Sequence, residues 1–302
     1  MQLLAGLLFA PLLVGLVRRT KAIAAGRRGD PLLQVYADLF KLARKGAVYS
    51  RTTTWLFRAG PALGLACALA ALTLLPMGGT SALVAFPGDL LLLVGVLALG
   101  RLAMLLAALD TGSAFAGMGA SREAWFGTWT EPALLLCLAA LARVAHDSSV
   151  SAVQRALGPA AWSASSGALA LTAASLFGVL LAENARIPFD DPTTHLELTM
   201  VHEARVLDHG GVDLAMVELA AALKLWVFAS LLASVIVPVR TGVAGIDGLA
   251  QLAGVAAVGL ALGAIESTTA RLRLARVPQL LIGIGVLAVL GVMLGAAPEV
   301  GP

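Results

Sequence analysis

AENARIPFDDPTTHLELTMVHEA, residues 182–204, is a polar stretch between two apolar runs of membrane-spanning length. It holds five acids, two histidines and one arginine, although 59% of the whole chain is hydrophobic and only 13% is charged. A soluble domain carries about 25% charged residues, so this composition predicts an integral membrane protein. Charges beside bilayer-length spans are costly unless they are paired or used. We therefore expect the rest of the chain to position this stretch at one mouth of a membrane protein.

Eight apolar runs qualify as membrane spans, because a helix crosses a bilayer in about 20 residues. These runs are Met1–Val17, Trp55–Leu75, Leu90–Leu109, Pro132–Ala145, Ser163–Ala182, Leu214–Val237, Gly248–Ile265 and Gln279–Gly295. We predict an all-α integral membrane protein, a bundle of eight transmembrane helices forming a single polytopic domain over residues 1–302. The first run is taken as a retained span, since its positive charges follow the apolar residues, whereas those of a signal peptide precede them.

The lysine and arginine residues predict the orientation of the chain. The loops after spans one, three, five and seven hold fifteen of them, whereas the opposite loops hold only Arg155 and Arg240. The positive-inside rule then places the basic loops in the cytoplasm and both termini outside. We call the side of the basic loops the inner side and predict a multi-pass protein of the cytoplasmic (inner) membrane. This bias explains the pI of about 9.2 without a nucleic-acid partner.

The first inner loop, residues 18–54, contains a pattern typical of an amphipathic helix. One predicted face carries Leu32, Tyr36, Leu39 and Ala43, and another carries Gln34, Asp38, Lys41 and Lys45. Such a helix either lies on the membrane surface or docks a soluble partner, and the two roles are compatible.

A polar helix is predicted in the loop between spans five and six. Pro188 prevents simple continuation of span five. Asp191–Pro192 is typical of a helix start, and Thr194–Glu197 offers a rival start as a capping box. From either start we expect the helix to run to about Asp208 and to end at Gly210–Gly211, where glycine suits a helix C-terminus.

Charges inside the spans point to either packing or ion transfer. Arg101 lies well inside span three, and Lys224 lies about ten residues into span six. Each could form an interhelical ion pair that fixes packing, or a step in an ion path. Of eighteen acids, only Asp89, Asp147, Asp247 and Glu299 fall on the outer side. The polar system is therefore predicted to open inward.

The candidates for this ion path are charged residues at or near the inner side. They are Glu183, Asp190, Asp191, Glu197, Glu203, Glu218, Lys224, Arg101, Asp110, Glu131 and Glu266.

No metal, haem or iron–sulfur cluster is expected on this chain. His195, His202 and His209 are spaced by seven residues, which is about 10.5 Å of helical rise, whereas zinc bonds are about 2 Å long. A helical zinc-protease pattern would need histidine at Thr199. The two cysteines lie in separate apolar runs. Each histidine is expected to relay protons, to bond a partner, or to be an ordinary hydrogen-bonded residue.

Two motifs resemble a known family. Glu183-x-x-Arg186-x-Pro188-Phe189-Asp190 resembles the loop after the fifth span of the membrane subunit of respiratory complex I that adjoins its quinone chamber. Gln34-x-x-Ala37-Asp38-x-x-Lys41-Leu42 resembles the first inner loop of the same family. The continuation DPTTHLELTM, residues 191–200, more closely resembles the formate hydrogenlyase and hydrogenase-4 branch. In that branch a related subunit anchors a membrane-bound NiFe hydrogenase.

The resemblance implies a subunit of an oxidoreductase complex with no redox centre of its own. The implied partners are hydrogenase-like large and small subunits, an iron–sulfur subunit and antiporter-like membrane subunits, beside membrane lipids. The NiFe centre and iron–sulfur clusters are expected in those partners. The predicted partner-interface residues are Arg27, Arg28, Gln34, Asp38, Lys41, Arg186, His195 and His202.

The main hypothesis is a membrane-anchoring, proton-path subunit that couples electron transfer in a soluble arm to ion translocation. The alternative is a quinone-site membrane subunit of a complex I-type NADH–quinone oxidoreductase, which predicts a hydrophobic slot beside Phe189. The complex I loop, however, carries further acids and a tyrosine where this chain has its Thr/His run. A secondary transporter would show repeated halves with broken spans, which we do not find in the sequence. A passive anchor is the fourth hypothesis.

Overall fold

The computed structural model describes residues 2–190, 202–270, 272 and 276–295. Within these ranges the chain is almost entirely α-helical and forms no strand beyond one isolated bridge, between Met77 and Thr80. Among the described residues, eight helices are long and apolar enough to cross a membrane. The predicted all-α fold with eight spans is confirmed.

The eight spans lie close to the predicted runs. They are α1 (Gln2–Ala24), α3 (Trp55–Thr73), α4 (Asp89–Asp110), α5 (Ala114–Ala145), α7 (Pro159–Glu183), α9 (Gly211–Ile236), α10 (Ala244–Thr268) and α11 (Val277–Leu294). Three short helices lie between spans: α2 (Gln34–Ala43), α6 (Val150–Ala156) and α8 (His202–Val206).

The fourth span begins much earlier than predicted. The apolar run gave Pro132–Ala145, whereas α5 is a 32-residue helix that starts at Ala114. Its added half contains Arg122, Glu123 and Glu131, whose charges interrupt the hydropathy of the run. Helix α1 likewise extends past its apolar run to Ala24 and includes basic residues in its last turns. These charges belong to the inner ends of spans, not to loops.

Helix α9 is the centre of the bundle. It packs against α1, α2, α3, α7 and α10, and most of its residues from Ala222 to Val235 are buried. A helix that is apolar on all sides is stable when neighbours surround it. Other large contacts join α3 to α4, α11 to α5 and α7, α1 to α10, and α5 to α7. Polar groups on α9 therefore face other helices of this chain.

Helix α2 connects the first inner loop to the bundle. It packs against α1 and α9, with Val35 buried. The Tyr36 hydroxyl donates a hydrogen bond to the Leu8 carbonyl of α1. Ala43, which we predicted on the apolar face, is exposed. A helix is present in this loop, but Leu32 of the predicted apolar face precedes it, and its buried residue, Val35, was not on that face.

The polar stretch that follows α7 is only partly described. Helix α7 ends at Glu183, and a turn with a cis peptide bond between Ile187 and Pro188 follows. The predicted helix starts at Asp191 and Thr194 lie outside the described residues. Helix α8 ends at Val206, earlier than the predicted end near Asp208. His209 therefore lies after this helix, in the connection to α9.

Gly211 begins α9 with a backbone angle that favours glycine. Its φ is +58°, in the left-handed region, where a side chain is disfavoured. A Cβ at this position would also collide with the Gly46 carbonyl oxygen of the first inner loop. The glycine therefore lets the first inner loop reach the start of α9.

Candidate functional site

A cavity of about 740 Å³ lies in the inner half of the bundle, and we call it the central cavity. All the spans except α11 contribute to its wall, together with α2 and α8. The ionisable residues on its wall, among those described, are Arg18, Lys21, Arg27, Asp30, Arg101, Glu123, Glu183, Arg186, His202, Glu203, Arg205, Glu218, Lys224 and Glu266. Such a wall favours water and ions over a purely apolar ligand.

Glu183 is the most heavily bonded acid of this wall. Its carboxylate forms ion pairs with the Arg101 guanidinium and, at 2.7 Å, with the Lys224 ammonium. The Thr130 hydroxyl donates a further hydrogen bond to it. Arg101 also lies 3.2 Å from the Glu131 carboxylate. We call Arg101, Glu131, Glu183 and Lys224 the charge cluster.

Four spans hold the charge cluster together. Arg101 lies in the middle of α4, Glu131 on α5, Glu183 at the last turn of α7 and Lys224 in the middle of α9. The Arg101 guanidinium fits against α5 at Gly127, where any side chain would collide with it. Glu183 has only 2% of its side chain exposed. Because a buried charge needs a partner, the two cations allow this carboxylate to remain ionised there.

Glu266 is the centre of a second group of charges. Its carboxylate lies 3.5 Å from the Lys21 ammonium of α1 and 3.3 Å from the Arg186 guanidinium. This group joins the inner ends of α1 and α10 to the turn after α7. It therefore fixes the start of the polar stretch against the bundle.

Helix α8 brings a third group to the cavity. Arg205 forms an ion pair with Glu123 of α5 and donates a hydrogen bond of 3.0 Å to His202 Nδ1. Desolvation, with the charges of Arg205, Lys224 and Arg186, holds the pKa of His202 well below its ordinary range. His202 is therefore neutral near pH 7 and accepts the bond from Arg205.

This fold and this cavity allow a comparison with known proteins. A family model described as NADH dehydrogenase matches residues 1–296. The chain belongs to this family. Two relatives from Escherichia coli (strain K12) are similar over most of their length. Formate hydrogenlyase subunit 4 is 31% identical over 279 residues, which are 90% of this chain and 89% of the relative.

The second relative is hydrogenase-4 component C. It is 34% identical over 232 residues, or 77% of this chain and 72% of the relative. These matches confirm the resemblance that the motifs of residues 34–42 and 183–200 indicated. They also make the chain a relative of components of multi-subunit complexes.

A solved structure shares the fold. It is a chain of the membrane-bound sulfane sulfur reductase, an archaeal respiratory membrane complex, with a TM-score of 0.80 and 20% identity. The match covers 97% of both chains. The eight-span arrangement is therefore a fold that membrane complexes of this kind contain.

The central cavity brings together six of the predicted path residues of this family member. They are Arg101, Glu183, Glu203, Glu218, Lys224 and Glu266. Glu131 reaches the cavity wall only through its ion pair with Arg101. Asp191 and Glu197 lie outside the described residues. The opening of this polar system toward the inner side stays a prediction.

Asp110 and Asp190 have other positions. Asp110 accepts hydrogen bonds from the Thr54 backbone N–H and hydroxyl, at 2.6 and 2.8 Å, and so holds the start of α3 against the end of α4. Asp190 is buried and accepts a 3.1 Å bond from the His202 backbone N–H. The first fixes a turn, and the second fixes the start of α8 beside the cavity.

The predicted interface residues separate into two groups. Arg27, Arg186 and His202 line the central cavity. Gln34, Asp38 and Lys41 lie on α2, where the Gln34 amide donates a 2.9 Å bond to Asp38, and Arg28 is exposed in the loop before it. His195 lies outside the described residues. The two groups thus mark the cavity wall and the surface of the first inner loop.

Sequence reasoning missed several residues of the wall, above all Glu123 and Arg205. Glu123 was assigned to a loop because the start of α5 was placed too late. Arg205 was counted only among the basic residues of the inner side. Its position three residues after His202, on one face of a short helix, was the available signal.

The described part of the chain contains no group of three or more His, Cys, Asp or Glu residues that could hold a metal ion. Cys67 and Cys137 are free and buried in different spans. The carboxylates, the lysine amines and His202 on the cavity wall can bind and release protons, whereas the arginines supply fixed positive charge.

Proposed function

We propose that this chain is a membrane-anchoring, ion-path subunit of a multi-subunit, membrane-bound NiFe hydrogenase or formate hydrogenlyase-type complex. Its relatives are a hydrogenase-4 component and a formate hydrogenlyase subunit. The observation that carries the proposal is Glu183, placed between Arg101 and Lys224 on the wall of a large charged cavity. Charges at this depth are rare and costly unless they serve a path or a pair.

In the proposed mechanism, electron transfer in a soluble partner changes the charge or hydration at the inner side. Glu203 and Glu218 on the cavity wall respond first, together with Asp190 and Glu197 of the polar stretch. Glu183 then exchanges a proton while its contacts with Arg101 and Lys224 change. Arg101 and Lys224 both contact the Glu183 carboxylate. Protonation of Glu183 therefore releases the two cations, which can then attract another anionic group.

The assembly and location follow from this function. We propose hydrogenase-like large and small subunits, an iron–sulfur subunit and antiporter-like membrane subunits as partners. The NiFe centre and iron–sulfur clusters belong to those partners. The chain is placed in the cytoplasmic membrane with its basic loops inside and both termini outside, in line with the positive-inside rule.

The test uses the assembled complex with Glu183→Gln or Glu203→Gln. Both changes keep side-chain size and remove the titratable group. We expect proton uptake by inverted vesicles to fall by roughly a hundredfold, while hydrogenase activity with an uncoupler and subunit composition are kept. Asp208→Asn is the matched control, because Asp208 is exposed on the same side and is not among the residues lining the cavity.

Unchanged proton uptake in both Gln variants would rule out the path. If the variants lose only assembly, the passive-anchor hypothesis takes its place.

A quinone-site subunit is the second candidate function. The family description and a cavity volume within the usual range for ligand pockets, about 300–1,000 Å³, favour it. The predicted slot beside Phe189 does not, since Phe189 is packed in the hydrophobic core and is absent from the described cavity wall. Quinone-dependent activity that quinone-site inhibitors block, and that Met104→Trp on the cavity wall removes, would establish this function.

A further inference from the structure

A second, much smaller cavity lies at the other side of the bundle, and we call it the outer cavity. Its volume is about 20 Å³. Its wall comes from α6, which connects spans four and five, and from the outer halves of neighbouring spans. One internal water needs about 10–15 Å³ of such volume. The outer cavity therefore has room for one water molecule.

Two polar atoms on this wall lack partners. Gln154 of α6 is 4% exposed and Ser230 of α9 is 2% exposed, and the Gln154 Oε1 atom and the Ser230 hydroxyl have no hydrogen-bond partner among the described residues. Ser234, one turn further along α9, is different, because its hydroxyl donates a 2.7 Å bond to the Leu231 carbonyl. Buried polar atoms of native proteins are nearly always bonded to protein or water.

The chemistry of the wall fits a neutral ligand that both donates and accepts. The Gln154 oxygen needs a donor, the Ser230 hydroxyl can donate, and the Ser234 oxygen can accept. Among the described residues, no acid, lysine, arginine or histidine lines this cavity. An ion would therefore lack a counter-charge, whereas water finds the two to four polar partners that it requires.

We propose that the outer cavity binds one internal water molecule, which donates to Gln154 Oε1 and accepts from the Ser230 hydroxyl. This water joins α6 to α9. The site is separate from the central cavity. Lys224 lines the central cavity and Ser230 the outer one, and these two residues are six positions apart on α9, about 9 Å of helical rise. Leu225 to Ala229, which are buried, occupy that interval.

The position of α6 gives this water a structural role. The Gln154 backbone carbonyl already accepts a 2.9 Å bond from Arg240 Nε. The same arginine donates a 3.2 Å bond to the Ser234 carbonyl. Arg240 thus holds α6 and α9 together from outside, and the water bonds the same two helices from within.

The proposal is tested by a double-mutant cycle on the full-length chain in lipid nanodiscs. Ser230→Ala and Gln154→Met each remove one partner of the water and leave the other unsatisfied. We expect each single variant to lower the unfolding temperature by a few degrees, and the double variant to lower it by less than the sum. Coupling of this kind is expected when two groups belong to one hydrogen-bond network, whereas distant, independent sites add.

Ser267→Ala is the matched control. Its hydroxyl donates a 2.6 Å bond to the Gly263 carbonyl within α10, away from the outer cavity, so its effect should add to that of Gln154→Met.

Single variants that leave the unfolding temperature unchanged or raise it, with additive effects in the double variant, would overturn the proposal. In that case each change merely removes an unpaired polar group. A cryo-EM map of the wild-type complex gives an independent answer even if a variant fails to fold. A density peak between the side chains of Gln154 and Ser230 supports the proposed water molecule, and the absence of density there contradicts it.

Discussion

The inner and outer halves of the bundle handle buried charge in opposite ways. In the inner half, carboxylates such as Glu183 and Glu266 face a cavity of about 740 Å³ and pair with long cationic side chains. In the outer half, the buried acids Asp89 and Asp247 accept bonds from backbone N–H groups and hydroxyls of turns. Long side chains can exchange partners, whereas turns hold an acid in one position. Under the proposed function, the inner half transfers ions, while the outer half holds its acids in fixed positions.

The largest expected effect comes from breaking the charge cluster. Arg101→Met leaves the buried Glu183 with one cation fewer and Glu131 with none of the ion pairs described here. Loss of one member of a buried ion pair costs about 3–5 kcal/mol. We expect this loss in the free energy of unfolding, measured by denaturant titration in detergent micelles.

Arg143→Met is the control for this experiment. Arg143 is exposed near the outer end of α5, and exposed substitutions usually change stability by no more than about 0.5 kcal/mol. An equal loss in the two variants would show that the cluster has no special importance for stability.

A change at the outer half should affect stability without affecting ion transfer. Asp89 is fully buried and accepts bonds from the Val150 N–H at 2.7 Å and the Ser149 hydroxyl at 3.0 Å. Asp89→Ala leaves these donors unpaired, which costs about 1–3 kcal/mol. We expect a lower unfolding temperature and unchanged proton uptake per turnover in the assembled complex. Reduced proton uptake in a correctly assembled complex would contradict the distinction between the inner and outer halves of the bundle.

A smaller, pH-dependent effect is expected at His209. Its ring stacks on Phe57 with centroids 4.1 Å apart and planes within 5°, and burial lowers the pKa of His209 below its ordinary value. A depressed histidine pKa means that the unfolded state binds the proton more readily. The stability is therefore present above the ordinary value of about 6.5 and decreases as the pH falls below it.

The measurement for His209 is the unfolding temperature between about pH 8 and pH 5. His209→Phe should remove the acid destabilisation that comes from this histidine and keep the ring stack. Identical pH profiles for the wild type and the variant would contradict a neutral, buried imidazole.

The smallest effect concerns Thr54, which begins α3. Its hydroxyl accepts a bond from the Leu56 N–H at 3.3 Å and donates one to Asp110 at 2.8 Å. Thr54→Ala should cost about 0.5–1 kcal/mol as a lost helix cap, with no change in proton uptake. Proton uptake should also be measured for Asp110→Asn. Unchanged uptake would mean that Asp110 only fixes a turn, and reduced uptake would mean that it belongs to the proposed ion path.

Apolar length predicted most of the fold, because a span needs only a continuous hydrophobic run. The predicted start of the span was wrong at α5, because Arg122, Glu123 and Glu131 lower the hydropathy of residues that are nevertheless helical. These charges are tolerated because Arg205 and Arg101 neutralise the two acids, and such neutralisation is not visible in a local window.

The candidate site was predictable as a set of residues but not as a set of pairs. Glu183, Lys224 and Arg101 were recognisable because each charge interrupts or ends an apolar run. Their pairing joins residues 41 and 82 positions apart in the sequence, which only the packing of α4, α7 and α9 determines. Glu203 could be placed at the cavity only through the position of α8.

The four members of the charge cluster are formally electroneutral, since two carboxylates face two cations. Any single ion that arrives from the inner side leaves the quartet with an uncompensated charge in a low-dielectric interior, which is unfavourable. Occupancy of the cluster should therefore alternate, with one arrival tied to one departure. Such coupling would prevent ions from leaking continuously through the chain, even when the central cavity is accessible from the inner side.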